Sequence, residues 1–423
     1  MKILFLNAYF YPENIASSHL ENDLLSALVE AGHDIDIICP VPTRGISKHV
    51  AEKFKGMRFE EMQHGHVRVH RFWAPQEGRD PIIRAFRYLW CNLREYMLGL
   101  TYKNVDLIFS GSTPPTQGMI AGMLSKRLGC RFVFSLQDIF PDSLVTAGMT
   151  RKGSLLWKLG RKIEEYTYQR SDRIVVIGED FMRAIIEKGV PEDKIDVVYN
   201  WIDETEIAPI SREQNILFEK FNLNPNKFYV TYCGNVGHTQ NFDLLTSAAK
   251  QLEGVTDMHF VIIGEGAFMP ELKSLIANKQ IINMTLLPFQ PYEVISHVFG
   301  LGDVGIIISK PNVGISSVPS KTWSIMAAGR PILASFDIGS EVCRIVERHN
   351  CGIATDAGDL DAFVEALKYL YKNPEIRAAL GNNGRMFVTE RLSKKICTEQ
   401  YLELLNRTAR ISGREISGLG AMK

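Results

Sequence analysis

Strand-like apolar runs alternate with amphipathic segments over most of this chain. Six such runs in the first half predict buried strands, at 2–6, 34–39, 67–72, 107–110, 131–135 and 173–177. Three segments between them have the apolar spacing of helices, at 18–32, 116–128 and 179–188. Strands joined through helices in this way form parallel sheets that are covered on both faces.

The second half repeats the pattern after a charged connector at 203–227. Six further strands are predicted, at 228–233, 259–263, 283–286, 304–308, 332–334 and 352–354. Two helices are predicted among them, at 242–252 and 267–277. We therefore predict an α/β protein of two Rossmann-like domains, 1–200 and 201–393, that face a central cleft. A last helix at 394–410 is expected to cross back to the first domain, and 411–423 is expected to form a tail.

The balanced charge of the chain argues against bulk binding of nucleic acid. Lys+Arg and Asp+Glu both total 48 among the 423 residues, whereas nucleic-acid-binding domains carry a basic excess. The seven cysteines are dispersed and lack metal-ligand spacing, which favours reduced thiols in a cytoplasmic protein and predicts no metal site. No apolar run approaches the roughly 18 residues of a membrane span.

Two glycine turns follow predicted strands of the second domain. Glycines at such turns let a phosphate approach backbone N–H groups. Each turn alone is equally consistent with the steric needs of a tight connection. The candidate donor-binding residues in these turns are Gly234, Asn235, Gly237, Gly264, Glu265 and Gly266.

Two lysines flank a loop rich in Gly, Ser and Pro in the same domain. Lys310 follows the predicted strand 304–308, and Lys321 begins a short predicted helix that contains Ser324. Pro319 and Ser320 lead into that helix, and together with Ser324 they are further candidate donor-binding residues. An anion held by both ammonium groups would gain charge-assisted hydrogen bonds, and the start of a helix favours negative charge. A solvated loop lysine is the alternative for Lys310.

Polar side chains also follow strands of the first domain. Asp138 comes after the predicted strand 131–135, where it could orient a sugar hydroxyl or take a proton. Tyr11, Ser17 and His19 follow the first strand and could contact a polar acceptor. A structural role is the alternative for His19.

Two basic helical segments of the first domain carry apolar stripes. In 80–100 the stripe consists of Ile82, Ile83, Phe86, Leu89, Trp90, Leu93, Met97 and Leu100. The segment 151–170 interleaves Leu and Trp with Lys and Arg. Such helices suit an anionic membrane surface, and packing of each stripe on the sheet is the alternative.

Three segments together resemble the GT-B glycosyltransferases of family 4, the retaining nucleotide-sugar enzymes. They are 319–331, the junction 200–203 and the run 137–143, which is similar to the D-L-W-P-E-S run of bacterial surface-polysaccharide members. Within the family, the likeness is to O-antigen and capsule enzymes, including L-fucosamine transferases. The resemblance implies a UDP-sugar donor on the second domain, carrying an N-acetylated amino sugar, and a lipid-linked saccharide acceptor on the first.

The same resemblance implies a place and a mechanism. Work at the inner face of the plasma membrane is expected, with no cofactor and no required metal, because cationic side chains and helix dipoles meet the diphosphate. Catalytic roles are expected for Asp138, Lys310 and Lys321.

Four positions depart from the family pattern. Members often carry Arg and Lys at the first two and tend to carry glutamates, eight residues apart, at the last two. These positions are Asn235, Gln240, Ser316 and Ser324. The diphosphate would then be met by Lys310, Lys321, backbone N–H groups or Arg330. Two alternatives therefore stay open, a nucleotide-sugar epimerase of related fold and a non-catalytic homologue that binds a nucleotide sugar.

Overall fold

The computed structural model describes residues 1–13, 18–76, 81–146, 148–313 and 319–410. The chain divides into two compact units. The first comprises Met1–Tyr199 together with the chain from Cys397 onward, and the second comprises Asn200–Ile396. Each unit is built around one predominantly parallel sheet with helices, so the predicted α/β class of two Rossmann-like domains is confirmed.

The sheet of the first unit has eight strands in the order β3-β4-β2-β1-β5-β6-β7-β8. In chain order they are β1 (Lys2–Leu6), β2 (Asp34–Pro40), β3 (Phe59–Met62), β4 (Val67–Phe72), β5 (Leu107–Gly111), β6 (Arg131–Leu136), β7 (Arg173–Val176) and β8 (Ile195–Val197). Strand β3 pairs antiparallel to β4, and the other pairs are parallel. Strands β2 to β4 lie on one side of β1, and β5 to β8 lie on its other side. The switch point of this sheet therefore lies between β1 and β5.

Seven helices of the described residues between 18 and 186 accompany this sheet. They are α1 (Ser18–Glu30), α2 (Lys48–Phe54), α3 (Pro81–Gly99), α4 (Gln117–Leu128), α5 (Asp142–Thr146), α6 (Leu155–Arg170) and α7 (Glu179–Ile186). Helix α4 packs between α3 and α6. Gln117, at the start of α4, meets Glu95 of α3, and Gly118 lies against Thr167 of α6. The N-terminal halves of α3 and α6 therefore extend beyond the start of α4.

The sheet of the second unit has six parallel strands in the order β11-β10-β9-β12-β13-β14. They are β9 (Phe228–Cys233), β10 (Met258–Ile263), β11 (Met284–Leu287), β12 (Val304–Ile308), β13 (Ile332–Ser335) and β14 (Gly352–Thr355). Every residue of β9 and β12 is buried, as expected of central strands covered on both faces. The strand order reverses between β9 and β12, which makes the carboxyl ends of these two strands the switch point.

Helices cover this second sheet, and the last one returns to the first unit. They are α8 (Leu217–Lys220), α9 (Phe242–Gln251), α10 (Met269–Asn278), α11 (Ile295–Phe299), α12 (Lys321–Ala327), α13 (Glu341–Arg348), α14 (Leu360–Lys372), α15 (Pro374–Arg391) and α16 (Lys394–Arg410). From Cys397 onward α16 belongs to the first unit, where the Tyr401 ring lies 6.1 Å from that of Phe109. Among the described helices, none combines the length and the apolar composition that crossing a bilayer requires.

Candidate active site

The switch point of the second unit gathers three loops at the carboxyl ends of β9, β10 and β12. The loop after β12 is joined to the loop after β9 by a hydrogen bond from the Lys310 backbone N–H to the Thr239 carbonyl, 2.9 Å long. The loop after β10 is joined to the loop after β9 through the Val236 N–H and the Glu265 carbonyl, 2.8 Å apart. Backbone pairing thus brings distant parts of the sequence to one edge.

Lys321 is the central side chain of this edge. It begins α12, and its Nζ donates to the Tyr232 hydroxyl at 2.5 Å while lying 3.8 Å from the centroid of the Tyr232 ring. The Tyr232 hydroxyl in turn donates to the Asn235 carbonyl at 2.6 Å. Burial lowers the pKa of Lys321 to about 8, and within the described residues no carboxylate forms an ion pair with it. A desolvated ammonium with a neutral partner suits an anionic ligand.

The two glycine turns are pressed together, backbone against backbone. Gly264 has φ +154°, and a Cβ placed there would lie 1.9 Å from the Gly234 carbonyl oxygen. Gly234 in turn lies beside Lys321, because a Cβ on it would be 3.4 Å from the Lys321 Nζ. Only glycine permits this approach at position 264, and the approach brings Gly264 and Gly266 next to the predicted donor residues Gly234 and Asn235.

Most N–H groups of the first glycine turn already have partners inside the protein. The Gly234 N–H donates to the Ile263 carbonyl at 2.9 Å, and the Gly237 N–H donates to the Gln240 Oε1 at 3.0 Å. The side chain of Gln240 therefore occupies a donor that the sequence assigned to phosphate. A phosphate could reach the Gly237 N–H only after displacing that side chain.

Lys310 lies beside an aromatic cluster rather than beside Tyr232, the partner of Lys321. Its Nζ is 5.6 Å from the centroid of the Phe268 ring, and the His238 ring stands edge-on to Phe268 at 5.5 Å. Phe268 also stacks on Phe242 at 5.8 Å. The Glu265 side chain is exposed next to this cluster.

The remaining predicted donor residues shape the start of α12. The Pro319 carbonyl accepts the Thr322 N–H at 2.9 Å, and the Ser320 carbonyl accepts the N–H groups of Trp323 and Ser324. Ser324 is half-buried on this helix, whereas Ser316 lies outside the described residues.

Arg330 has a structural role in the second unit. Its guanidinium donates to the carbonyls of Ile210 and Gly300, at 3.1 and 2.8 Å. Both contacts use Nη2, whereas Nε is buried without a partner in the described residues, and a role of Arg330 in binding the diphosphate stays a prediction.

The first unit places Asp138 in the loop after β6. Asp138 lines a small cavity of about 20 Å³ together with Ser112 and Phe140. Partial burial raises the pKa of Asp138, against the opposing hydrogen bonds from the Ser143 hydroxyl and the Ile139 N–H. A carboxyl group with a raised pKa at a sheet's carboxyl edge can accept a hydrogen bond from, or exchange a proton with, a hydroxyl.

The predicted acceptor residues after β1 lie in different settings. The Tyr11 ring is 49% exposed, and the Tyr11 carbonyl accepts from the buried Arg71 at 2.6 Å. His19 is exposed on α1, and Ser17 lies outside the described residues.

Sequence reasoning missed the contacts of four residues that organise these two edges, and it noted one of them, Gln240, only as a departure from the family pattern. Tyr232 and Gln240 hold Lys321 and the glycine turn in the second unit. Glu13 and Arg87 are buried at the edge of the first unit, at 3% and 0% exposure. A tyrosine hydroxyl near the carboxyl end of a buried strand was the available signal for Tyr232, and an arginine directly after Phe86 of the apolar stripe was the signal for Arg87.

Comparison with known proteins assigns the enzyme class. Two domain families match, the glycosyl transferase 4-like domain at residues 22–201 and the glycosyl transferases group 1 at residues 213–387. A probable glycosyltransferase, WbjE of Pseudomonas aeruginosa, is 28% identical over 70% of this chain and 73% of its own. A putative colanic acid biosynthesis glycosyl transferase, WcaI of Escherichia coli K12, is 21% identical over 95% of this chain and 99% of its own.

The chain is a glycosyltransferase of the GT-B fold.

Solved structures agree with the fold of this glycosyltransferase. The Anabaena protein HepE, crystallised in complex with UDP, superposes with a TM-score of 0.71 at 15% identity, covering 96% of this chain and all of its own.

Two helices of the glycosyltransferase expose the apolar stripes noted in its sequence. On α3 the exposed large side chains are Ile83, Phe86, Leu89, Leu93 and Met97. The Ile82 side chain of that stripe lies outside the description. On α6 Leu155 is 87% exposed, with Leu156 and Leu159 also exposed. The alternative that both stripes pack on the sheet is therefore wrong for these residues.

Proposed function

We propose that this glycosyltransferase transfers an N-acetylated amino sugar from a UDP-sugar to a lipid-linked saccharide, with retention of configuration, in the synthesis of a bacterial surface polysaccharide. The setting of Lys321 carries the proposal for the donor. HepE binds UDP, and WcaI is named for colanic acid biosynthesis, which supports the choice of donor and pathway class. The amino sugar rests on the resemblance of the chain to O-antigen and capsule enzymes, including L-fucosamine transferases.

Lys321 would bind the diphosphate and stabilise its departure. When the bond between the anomeric carbon and the diphosphate oxygen breaks, the electron pair leaves with that oxygen, and negative charge grows on the β-phosphate. Lys321 stands without a counter-ion in the described part of its surroundings, so it is available to this charge without first breaking an ion pair. Lys310, nearer Phe268, would contact the phosphates or the nucleoside from the adjacent loop. The required positive charge comes from side chains, so no metal is needed.

Asp138 would position the acceptor on the first unit. The acceptor hydroxyl forms the new bond to the anomeric carbon, on the face that the diphosphate leaves, and passes its proton to the departing diphosphate oxygen. A carboxyl group at the edge of the sheet can orient that hydroxyl. Replacing Asp138 by Asn should therefore lower kcat while the KM for the donor stays close to that of the wild type.

The enzyme would work on the inner face of the plasma membrane. Exposed apolar residues lie on α3 and on α6, within 80–100 and 151–170, and the second segment also exposes the basic residues Arg151, Lys152, Lys158 and Lys162. A lipid-linked acceptor would then be presented where the protein binds. Flotation with anionic vesicles at low and high salt tests this part, and absence of binding at low salt would remove it.

A donor panel tests the proposal as a whole. We expect UDP-sugars to raise the melting temperature through binding to the folded state, and we expect UDP release only when a lipid-linked acceptor is added. Conversion of the donor to an isomer without acceptor would instead identify an epimerase. Binding without UDP release under any acceptor condition would identify a non-catalytic binder.

A further inference from the structure

Helix α3 turns an apolar face outward, although Cys91, Trp90 and Leu98 on its other side pack in the core. All its exposed residues in the described part are apolar, namely Ile83, Ala85, Phe86, Leu89, Leu93 and Met97. Its only carboxylate, Glu95, is fully buried on the opposite side. A helix on a protein surface ordinarily turns its apolar face inward, so this orientation requires a separate explanation.

The inward face of α3 holds the loops at the carboxyl edge of the first sheet. Arg87, fully buried, donates from Nη2 to the Thr43 hydroxyl at 2.9 Å and from Nε to the Pro75 carbonyl at 3.0 Å. Its guanidinium also lies 5.5 Å from the centroid of the Tyr9 ring. Glu13 joins the same loops by accepting the N–H groups of Thr43 and Arg44 at 2.7 and 2.8 Å. One arginine thus connects α3 to the segments that follow β1, β2 and β4.

The polar seam between α3 and α4 is incompletely satisfied. Asn92 Oδ1, Glu95 Oε1 and Gln117 Oε1 are buried acceptors without a hydrogen-bond donor in the described structure. Close packing instead fixes the C-terminal end of α3, where a Cβ on Gly99 would lie 2.3 Å from the Leu124 side chain. Because these oxygens make no hydrogen bond that a movement would break, the seam holds α3 less firmly than a fully bonded one would.

We propose that α3 couples membrane binding to the acceptor edge: its outward face lies in the lipid interface, and Arg87 on its inward face then fixes the loops that receive the acceptor. This inference rests on the lipid-linked acceptor of the proposed function and adds its regulation. An outward face seated in lipid removes the freedom of α3 to shift, so the loops at 9–13 and 41–44 become more ordered. Arg87 is a positioning residue, because it acts on the acceptor only through these loops.

Charge favours an anionic bilayer over a second copy of the chain as the occupant of this face. Helix α6, on the other side of α4, exposes Lys158 and Lys162 in its first two turns among three leucines and no carboxylate. A symmetric dimer would bring such basic residues together, whereas phosphatidylglycerol head groups would neutralise them. Trp90, whose Nε1 donates to the Trp73 carbonyl at 2.8 Å, and the exposed Trp73 ring suit the boundary between head groups and acyl chains.

Hydrogen exchange of the full-length enzyme tests the coupling without any acceptor. Vesicles of phosphatidylethanolamine and phosphatidylglycerol should slow amide exchange in 9–13 and 41–44, whereas phosphatidylcholine vesicles should not. Arg87→Lys keeps the charge but loses the forked contacts, and Thr43→Val removes the acceptor of Nη2. Both variants should still float with anionic vesicles and should lose the slowing. Slowing that persists in both variants, or is absent in the wild type despite flotation, would overturn the proposal.

A second set of variants separates this inference from the proposed function. Changing Phe86, Leu89 and Leu93 to Gln should weaken vesicle binding by about tenfold or more and raise the KM for a vesicle-borne acceptor, while Met386→Gln, an exposed change in the second unit, should alter neither. UDP binding should be the same in all variants. Failure of UDP to bind the wild type would count against the proposed function alone. If the wild type instead forms a dimer that the glutamine variants abolish, the outward face of α3 binds a second copy of the chain, and the membrane proposal is overturned.

Discussion

Replacing Lys321 by methionine is expected to make the free enzyme more stable and far less active. Methionine keeps an unbranched apolar stem over the Tyr232 ring but carries no charge. Burial lowers the pKa of Lys321 from 10.5 to about 8. That difference, at about 1.4 kcal/mol per pH unit, sets an upper limit of about 3–4 kcal/mol on the cost of keeping the buried ammonium charged near pH 7.

The stability difference should depend on pH in a definite direction. Between about pH 8 and 10.5 the folded protein binds fewer protons at Lys321 than the unfolded chain does. The wild type therefore gains stability as pH rises through this window, and the full cost is present below it. Because Lys321→Met has no such group, its advantage should shrink from pH 7 to pH 10.

Guanidinium unfolding followed by tryptophan fluorescence measures the stability, and UDP release with acceptor measures activity. Loss of one preorganised cation at the departing diphosphate should lower kcat by roughly 10²–10³-fold. Lys273→Met, an exposed change on α10, is the control and should affect neither property. A variant no more stable than the wild type at pH 7 would refute the buried-cation reasoning, and wild-type turnover would refute the catalytic role.

Three further predictions follow from single contacts. Gly264→Ala should destabilise the second unit by roughly 2–4 kcal/mol because its Cβ would clash with the Gly234 carbonyl. Gly254→Ala, where a Cβ meets open space, is the control and should not destabilise it. Equal midpoints of urea unfolding for the two variants would contradict this prediction. Burial raises the pKa of Glu95 to about 8, so the folded protein binds the extra proton and loses stability as pH rises from about 4.5 to 8. In Glu95→Gln this slope should flatten by up to about 1.4 kcal/mol per pH unit, as unfolding at several pH values would show. Tyr232→Phe removes the acceptor of Lys321 Nζ and should raise the KM for the donor by roughly tenfold with the fold retained; an unchanged KM in steady-state kinetics would argue against a role for the hydroxyl.

The sequence predicted the central strands well because burial on both faces leaves an unmistakable apolar run. Strands β9 and β12 are of this kind, and both lie where they were predicted. Strand β3 was missed because its four residues alternate between exposed and half-buried, and β8 was missed because it has only three. The position of Lys321 at the start of a helix was also predicted, since the small residues and the Gly-Arg-Pro stop after it delimit that helix.

Other features of the site depend on contacts that no local pattern encodes. Lys321 and Tyr232 are 89 positions apart, and their hydrogen bond requires β9 and β12 to be neighbours. Periodicity likewise revealed the stripe on α3 but not its direction. Amphipathic spacing predicts only that the two faces of the helix differ. The contacts of Arg87 and Glu95 show that the face carrying them points into the protein.

The choice of tyrosine as the partner of Lys321 accounts for both the cost and the usefulness of that cation. A carboxylate in its place would satisfy the ammonium and raise its pKa, but a diphosphate would then have to displace that carboxylate or accept its repulsion. The neutral hydroxyl and the ring face hold the ammonium in position without cancelling its charge. With a pKa of about 8, Lys321 remains roughly nine-tenths protonated at pH 7. The free protein therefore retains a charged, oriented ammonium group. Only an anion compensates for the desolvation of this group, so it interacts more favourably with a departing diphosphate than with water.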